Sequence, residues 1–295
     1  MSPFKEYSLF LGCVIPSFQP YVESSTRKVS SKLKFKVHDI EGVTCCPAPE
    51  VIESIEEKLW YYIAGRNLAL AEALKHDLVT ICNGCFETLT KANDILKKDA
   101  KMREKVNSIL RNLNVEFKGI IESKNILEVL HDDIGLEKIK SKVVFPLKNI
   151  NVAIQYGCRL YKYEERNLTL KFYRLVQALG CNIVKYDSEK LCCGLPAMHG
   201  NKEFAYTQRS KRKVNDMLKA GADCAITLCP SCLNQLEMVQ LELKEESITQ
   251  SLPCLNLLEL MALAFGFNPK EIGILYHRIK PMNLLEKIKK GDQIA

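Results

Sequence analysis

Four short apolar runs alternate with longer amphipathic stretches along this chain. "EYSLFLGC" (6–13) and "NVAIQYGC" (151–158) are apolar enough to be buried strands, and each stops at a Gly-Cys turn. "DLVTIC" (77–82) and "CAITLC" (224–229) read the same way and lead into "FETLTKANDILKKD" (86–99) and "LNQLEMVQLELKEE" (233–246), both with helical periodicity. Residues 50–76 predict a helix that begins acidic and ends at Lys75 and His76, the sense a helix dipole favours. Residues 203–222 occupy the same slot in the second half and stop at Gly221. "SKNILEVLHDDIGLEKI" (123–139) predicts a helix capped by Ser123, with a counterpart in 254–266. Strand and helix alternating in this way imply an α/β fold of two pseudo-symmetric, Rossmann-like halves with parallel sheets. Side chains at the carboxyl ends of such strands converge on one crevice. Pro146 breaks the pattern just before the second Gly-Cys strand, which puts the boundary between domains 1–145 and 146–295. No low-complexity linker separates the halves, so they are expected to pack face to face.

Cysteine placement sharpens the symmetry. Cys13, then 31 residues, Cys45-Cys46, then 35 residues, Cys82-x-x-Cys85 make one set. Cys158, then 33 residues, Cys192-Cys193, then 35 residues, Cys229-x-x-Cys232 make the second. The offset is 147 at four positions (45 to 192, 46 to 193, 82 to 229, 85 to 232) and 145 from 13 to 158. Structural cysteines placed independently would not keep a constant spacing, so a site has been duplicated. Each CxxC falls at a strand-to-helix turn, where unpaired backbone N–H groups favour thiolates. Pro230 suits a first helical position, and Pro47, Pro49 and Pro196 would stiffen the turns after the vicinal pairs. Cys181, Cys224 and Cys254 have no partner at the repeat offset and read as small buried residues.

Composition narrows the chemistry. Thirteen cysteines in 295 residues is an odd, high number, and a chain this long needs no disulfide staples, so metal or cluster ligation is the leading reading. Structural zinc takes four ligands, so one zinc per set would leave a cysteine idle. Ferredoxin spacing, with several cysteines inside a dozen residues, is absent. A large iron–sulfur cluster held by five thiolates from three segments fits. The net charge of +7, from 42 basic and 35 acidic side chains, is spread over helical faces, and no nucleic-acid-reading motif accompanies it. The first residues lack a secretory pattern, and "CLNLLELMALAFGF" is too short to span a bilayer; a cytoplasmic protein with no transmembrane segment is expected.

The two cysteine sets, together with "FLGCVIP", "EGVTCCPAP", "GRNLALAE", "CNGCFETL" and "LEVLHDDIGLEKIK", resemble the tandem CCG domains of heterodisulfide reductase B subunits. The resemblance covers residues 9 to about 259. It implies two non-cubane [4Fe–4S] clusters, one on Cys13, Cys45, Cys46, Cys82 and Cys85, the other on Cys158, Cys192, Cys193, Cys229 and Cys232. It further implies the catalytic subunit of CoB–CoM heterodisulfide reductase, an enzyme of methanogenesis that reduces an anionic mixed disulfide to two thiols. Its partners would be a flavin-containing A subunit, together with a ferredoxin-like iron–sulfur C subunit. Related CCG domains also serve as electron-transfer subunits of flavin-linked dehydrogenases and thiol-linked fumarate reductase, which is the alternative reading. Around Cys158 the chain has "QYGCR", with Gln155 and Arg159 where that family commonly has histidines, and "LPAMHG" replaces a glycine-rich run after Cys193-Gly194. Arg159 and His199 lie next to ligands and Arg66 on a helix; none is assigned a role.

Overall fold

A computed structural model of the chain describes residues 4–242 and 251–292. It contains two four-stranded, all-parallel sheets. The first is built from β1 (Glu6–Phe10), β2 (Lys36–Asp39), β3 (Leu78–Thr80) and β4 (Ser123–Asn125), in the order β2-β1-β3-β4. The second uses β5 (Asn151–Gln155), β6 (Asn182–Val184), β7 (Cys224–Thr227) and β8 (Cys254–Asn256), in the equivalent order β6-β5-β7-β8. Four of the five residues of β1 and of β5 are buried, and every residue of β3 and β7, as parallel strands covered on both faces require. The two-half α/β expectation is therefore met.

By contacts the chain forms two compact units that do not follow chain order. One comprises Met1–Phe18 and Lys34–Val129; the other comprises Gln19–Leu33 and Leu130–Ala295. The helix Pro20–Leu33 thus leaves the sheet whose strands flank it and packs on the helix Leu257–Ala264 that follows β8. Tyr21, Val22, Val29 and Leu33 are buried there, and all eight residues of Leu257–Ala264 are buried.

Local sequence explains most elements. The helices Asn83–Lys98 and Pro230–Glu242 follow the two CxxC turns directly, with Pro230 at the first helical position. Residues 243–246 of the second predicted helix lie outside the described residues. Ser123 is not a cap: it lies in β4 and receives a hydrogen bond from Thr90 at 3.1 Å. The cap is Asn125, which forms a reciprocal capping box with Glu128, and Asn256 with Glu259 repeats it after β8. The predicted helix 123–139 is broken into Ile126–Glu128, a wide turn Val129–Ile134 and Leu136–Lys140, the last restart following Gly135 at φ +90°. Residues 50–76 give a regular helix only over Glu57–Glu72, because Pro49 starts a separate wide turn and Glu56 is extended at φ −147°. Residues 203–222 likewise divide into a wide turn Ala205–Lys211 and the helix Arg212–Lys219. At the amino end of the first sheet, Glu6 is hydrogen-bonded to His38 at 2.7 Å and lies 3.5 Å from Lys36 and 3.6 Å from His76.

Candidate functional site

In the first unit, β1 runs out at Phe10 and the chain turns through Gly12 to present Cys13. Gly12 has φ +74°, and a Cβ there would lie 2.7 Å from Cys85 Sγ, so only glycine brings this turn against the CxxC. Cys82 holds the cap position of the helix Asn83–Lys98, and Cys85 sits in its first turn. The vicinal pair arrives on the loop between β2 and the helix Glu57–Glu72, and that loop is held at four points. Arg66 Nη2 donates to the Gly42 carbonyl at 2.8 Å. Buried Asn67 accepts from Thr44 N at 3.1 Å and donates to the Cys45 carbonyl at 3.0 Å. Thr88 Oγ1, one turn beyond Cys85, donates to the Pro47 carbonyl at 3.0 Å.

These constraints put five sulfurs from three segments into one connected chain. Cys13 Sγ lies 3.7 Å from Cys45 Sγ, and hydrogen-bonded contacts link Cys45 with Cys46, Cys46 with Cys85 and Cys85 with Cys82. Cys13 is exposed, Cys45 and Cys82 are half-buried, and Cys46 and Cys85 are buried.

The second unit repeats the order of contacts link by link: Cys158 with Cys192, Cys192 with Cys193, Cys193 with Cys232 and Cys232 with Cys229. Cys158 and Cys192 are half-buried, and Cys193, Cys229 and Cys232 are buried in one cluster flanked by Leu195. Different side chains hold this loop. Ser210 Oγ donates to the Cys193 carbonyl at 2.7 Å and accepts from Gln235 Nε2 at 2.9 Å. Gly194, at φ +100°, lies where a Cβ would sit 2.7 Å from the Ala205 carbonyl in the wide turn. Gln19, from the stretch after Cys13, donates to the Pro230 carbonyl at 2.9 Å inside the second CxxC. Gln155 Nε2 faces Cys232 Sγ at 3.7 Å.

Crowding governs the thiols electrostatically. Hydrogen bonds from Cys45 and Cys85 pull Cys46 down to about 5, and those from Cys158 and Cys193 pull Cys192 down to about 2. The sulfurs that donate are pushed the other way: Cys13 by its bond to Cys45, Cys85 by its bonds to Cys46 and Cys82, Cys158 by its bond to Cys192. Five thiolates at this spacing need cationic compensation, and thiolate is the form that ligates metal. Five sulfur donors suit a multi-iron group and exceed what one zinc takes. The residues present fit an iron–sulfur cluster in each unit.

The other cysteines stand apart. Cys224 and Cys254 are 0% and 1% exposed in β7 and β8, and burial pushes both thiols well up; Cys181 is buried after the helix Leu168–Ala178 and is raised to about 12 for the same reason. His199 is exposed in the short turn Leu195–His199 and Arg159 is half-buried. Arg66 is a loop anchor rather than a plain surface residue. Asn67, Thr88, Ser210 and Lys213 are not legible as site residues in the sequence, because each acts on backbone far away along the chain; only the position of Asn67 inside "GRNLALAE" hints at a role.

Comparison with known proteins places this geometry in a family. The cysteine-rich domain family, CCG, matches residues 7–90 and 152–237, one copy around each sulfur set. The chain is 36% identical over 292 residues, 95% of its length and 96% of the relative's, to the B subunit of the Ferredoxin:CoB-CoM heterodisulfide reductase of Methanosarcina mazei. It is 31% identical to the 8-methylmenaquinol:fumarate reductase membrane anchor subunit of Wolinella succinogenes, over 95% of this chain and 99% of that one. A solved structure of a hypothetical protein from Helicobacter pylori shares the fold with a TM-score of 0.76 at 15% identity, covering 95% of this chain and 53% of that one. Among the described residues no helix is long and apolar enough to cross a membrane. Two copies of the domain and near full-length identity make this chain a member of the family of tandem CCG proteins formed by heterodisulfide reductase B subunits.

Proposed function

We propose that this chain is the catalytic subunit of a cytoplasmic CoB–CoM heterodisulfide reductase of methanogenesis, with domains 1–145 and 146–295 each holding one non-cubane [4Fe–4S] cluster. Cys13, Cys45, Cys46, Cys82 and Cys85 would hold the first; Cys158, Cys192, Cys193, Cys229 and Cys232 the second. The observation that supports this most is the identical order of sulfur contacts in the two units, assembled each time from three separated segments.

When bound, the two clusters would supply one electron each. The balance is CoM-S-S-CoB plus two electrons and two protons giving two thiols, with the S–S bond broken and both sulfurs reduced. Electrons would come from a ferredoxin-like iron–sulfur C subunit, itself fed by the flavin-containing A subunit. The chain's own part is asymmetric exposure. Each set is open at its lone strand-end cysteine and the first vicinal cysteine, and closed at the second vicinal cysteine and the second CxxC sulfur. A disulfide would approach on the open edge, and the backbone clamps at Asn67, Thr88 and Ser210 would keep that edge from relaxing. The test is anaerobic. Protein holding about eight irons for two such clusters, reduced by dithionite, is mixed with the heterodisulfide and assayed for free thiol. Two thiols per disulfide is the expected result; an intact disulfide sinks the proposal.

The likeness to a fumarate reductase anchor subunit favours one other reading, an electron-transfer subunit of a flavin-linked dehydrogenase or thiol:fumarate reductase. That role predicts the same iron content, no thiol release, and rapid reoxidation by a quinone analogue.

A further inference from the structure

Lys213 is fully buried, a rare position for an ammonium group. Its three donors are all used, on the carbonyls of Ser188 (2.5 Å) and Glu189 (3.1 Å) and on the hydroxyl of Tyr186 (3.3 Å). All three acceptors are neutral, and among the described residues no carboxylate forms an ion pair with it. A buried cation without a carboxylate needs negative charge from elsewhere. Burial pulls the Lys213 pKa down to about 8, and the charges that hold it up are first Cys232, then Cys193, Cys192 and Glu189. Lys213 Nζ also lies over the Tyr186 ring, 4.9 Å from its centroid, and a cluster on the second sulfur set would add the negative charge that this buried cation lacks.

A hydrogen-bonded path joins them. The Tyr186 hydroxyl lies 3.0 Å from the Ile154 carbonyl and 3.3 Å from Gln155 Oε1, and Gln155 Nε2 faces Cys232 Sγ at 3.7 Å. With the hydroxyl on its oxygen side, the Gln155 amide turns its NH2 to the sulfur. Gln155 is itself fully buried, so no water competes for that bond.

The first unit lacks the path but keeps its anchor. Arg66 is the repeat counterpart of Lys213, since 213 − 66 = 147, and each donates to the carbonyl three residues before its vicinal pair, Gly42 or Glu189. Three residues before the lone cysteine, where the second unit has Gln155, the first has Phe10, also fully buried and unable to hydrogen-bond. The shared function of Arg66 and Lys213 is to pin the loop. What the second unit adds is the buried charge of Lys213 and, beyond Tyr186, the Gln155 amide aimed at Cys232 Sγ.

We infer that Lys213, acting through Tyr186 and Gln155, is a positioning residue that raises the reduction potential of the second cluster above that of the first. A nearby positive charge and an N–H···S hydrogen bond both favour the more negative, reduced state. Electrons entering the chain then settle on the second site first, and the two halves of a symmetric fold differ in driving force. This rests on the iron–sulfur reading above.

The test is a redox titration of the anaerobic, iron-loaded full chain, followed by EPR, with iron and sulfide counted per chain. Lys213→Met and Gln155→Leu should each shift the higher of two midpoints downward and leave the lower unchanged. Lys213→Arg, which keeps the charge, should restore part of the shift. Tyr186→Phe removes only a hydroxyl and keeps the test decisive should Lys213→Met fail to fold. Full iron content with both midpoints unmoved in Gln155→Leu and Tyr186→Phe overturns the inference alone. A wild-type chain without iron overturns the functional reading instead.

Discussion

At the scale of single residues, what matters most around the sulfurs is what cannot be larger. Gly12 satisfies two demands at once, a left-handed backbone and a 2.7 Å approach by Cys85 Sγ. Replacing it by alanine costs roughly 1 to 2 kcal/mol for the backbone alone, and the clash falls on the buried Cys85 sulfur rather than on the far end of a flexible side chain. Gly12→Ala should therefore drop iron per chain towards half while the second set stays loaded. Iron counting by inductively coupled plasma on the purified variant checks this, and an undiminished iron content sinks the packing argument. The cysteines themselves can be picked out of the chain by arithmetic, because a five-cysteine set repeated at near-constant offset has no cheaper explanation. Their clamps cannot, since Asn67, Thr88 and Ser210 look like any polar residue on an amphipathic helix until the loop they hold is seen beside them.

Elements behave in the same divided way. The strands and the CxxC helices are readable because a buried parallel strand must be apolar throughout and a helix must begin with unsatisfied N–H groups. The sequence alone puts the cap at Ser123, two residues before its true place at Asn125, because either residue is a good cap in isolation and only strand pairing decides between them. The helix Leu257–Ala264 carries a further buried charge system. His277 is fully enclosed between Glu237 at 2.8 Å and Glu259 at 2.8 Å, with Tyr21 packed against its ring. Burial alone would lower its pKa, but the Glu259 charge and the hydrogen bonds its ring donates to both carboxylates outweigh that and lift it from 6.5 to about 10. A histidine whose folded pKa is raised contributes stability in full below its unfolded pKa of about 6.5, and loses it as pH climbs through about 10. Denaturant midpoints of the wild type should fall across that window, while those of His277→Gln start lower and change less. Breaking such a triad costs roughly 3 to 5 kcal/mol. Parallel pH profiles for the two proteins would mean that His277 is not charged in the folded chain.

For the whole molecule, the exchange of the helix Pro20–Leu33 is the decisive feature. Residues that follow Cys13 in sequence complete the second compact unit, covering Leu257–Ala264 and reaching Pro230 through Gln19. Uncovering four buried side chains such as Tyr21, Val22, Val29 and Leu33 removes on the order of 6 kcal/mol of burial, comparable with the whole stability of a domain. A fragment of residues 146–295 should therefore show no cooperative thermal transition and should bind a hydrophobic dye, although it carries a complete set of five cysteines. Cooperative melting of that fragment with its iron in place would refute this. The cysteine repeat, the strand runs and the helix starts are determined by sequence alone, because each depends on neighbours within a few residues or on a period that survives duplication. Which helix completes which unit, which polar groups clamp the vicinal loops, and why Gln155 stands where the first repeat has Phe10 are decided only by tertiary structure. Those choices depend on groups brought together from distant segments, and no local propensity or spacing records such a meeting.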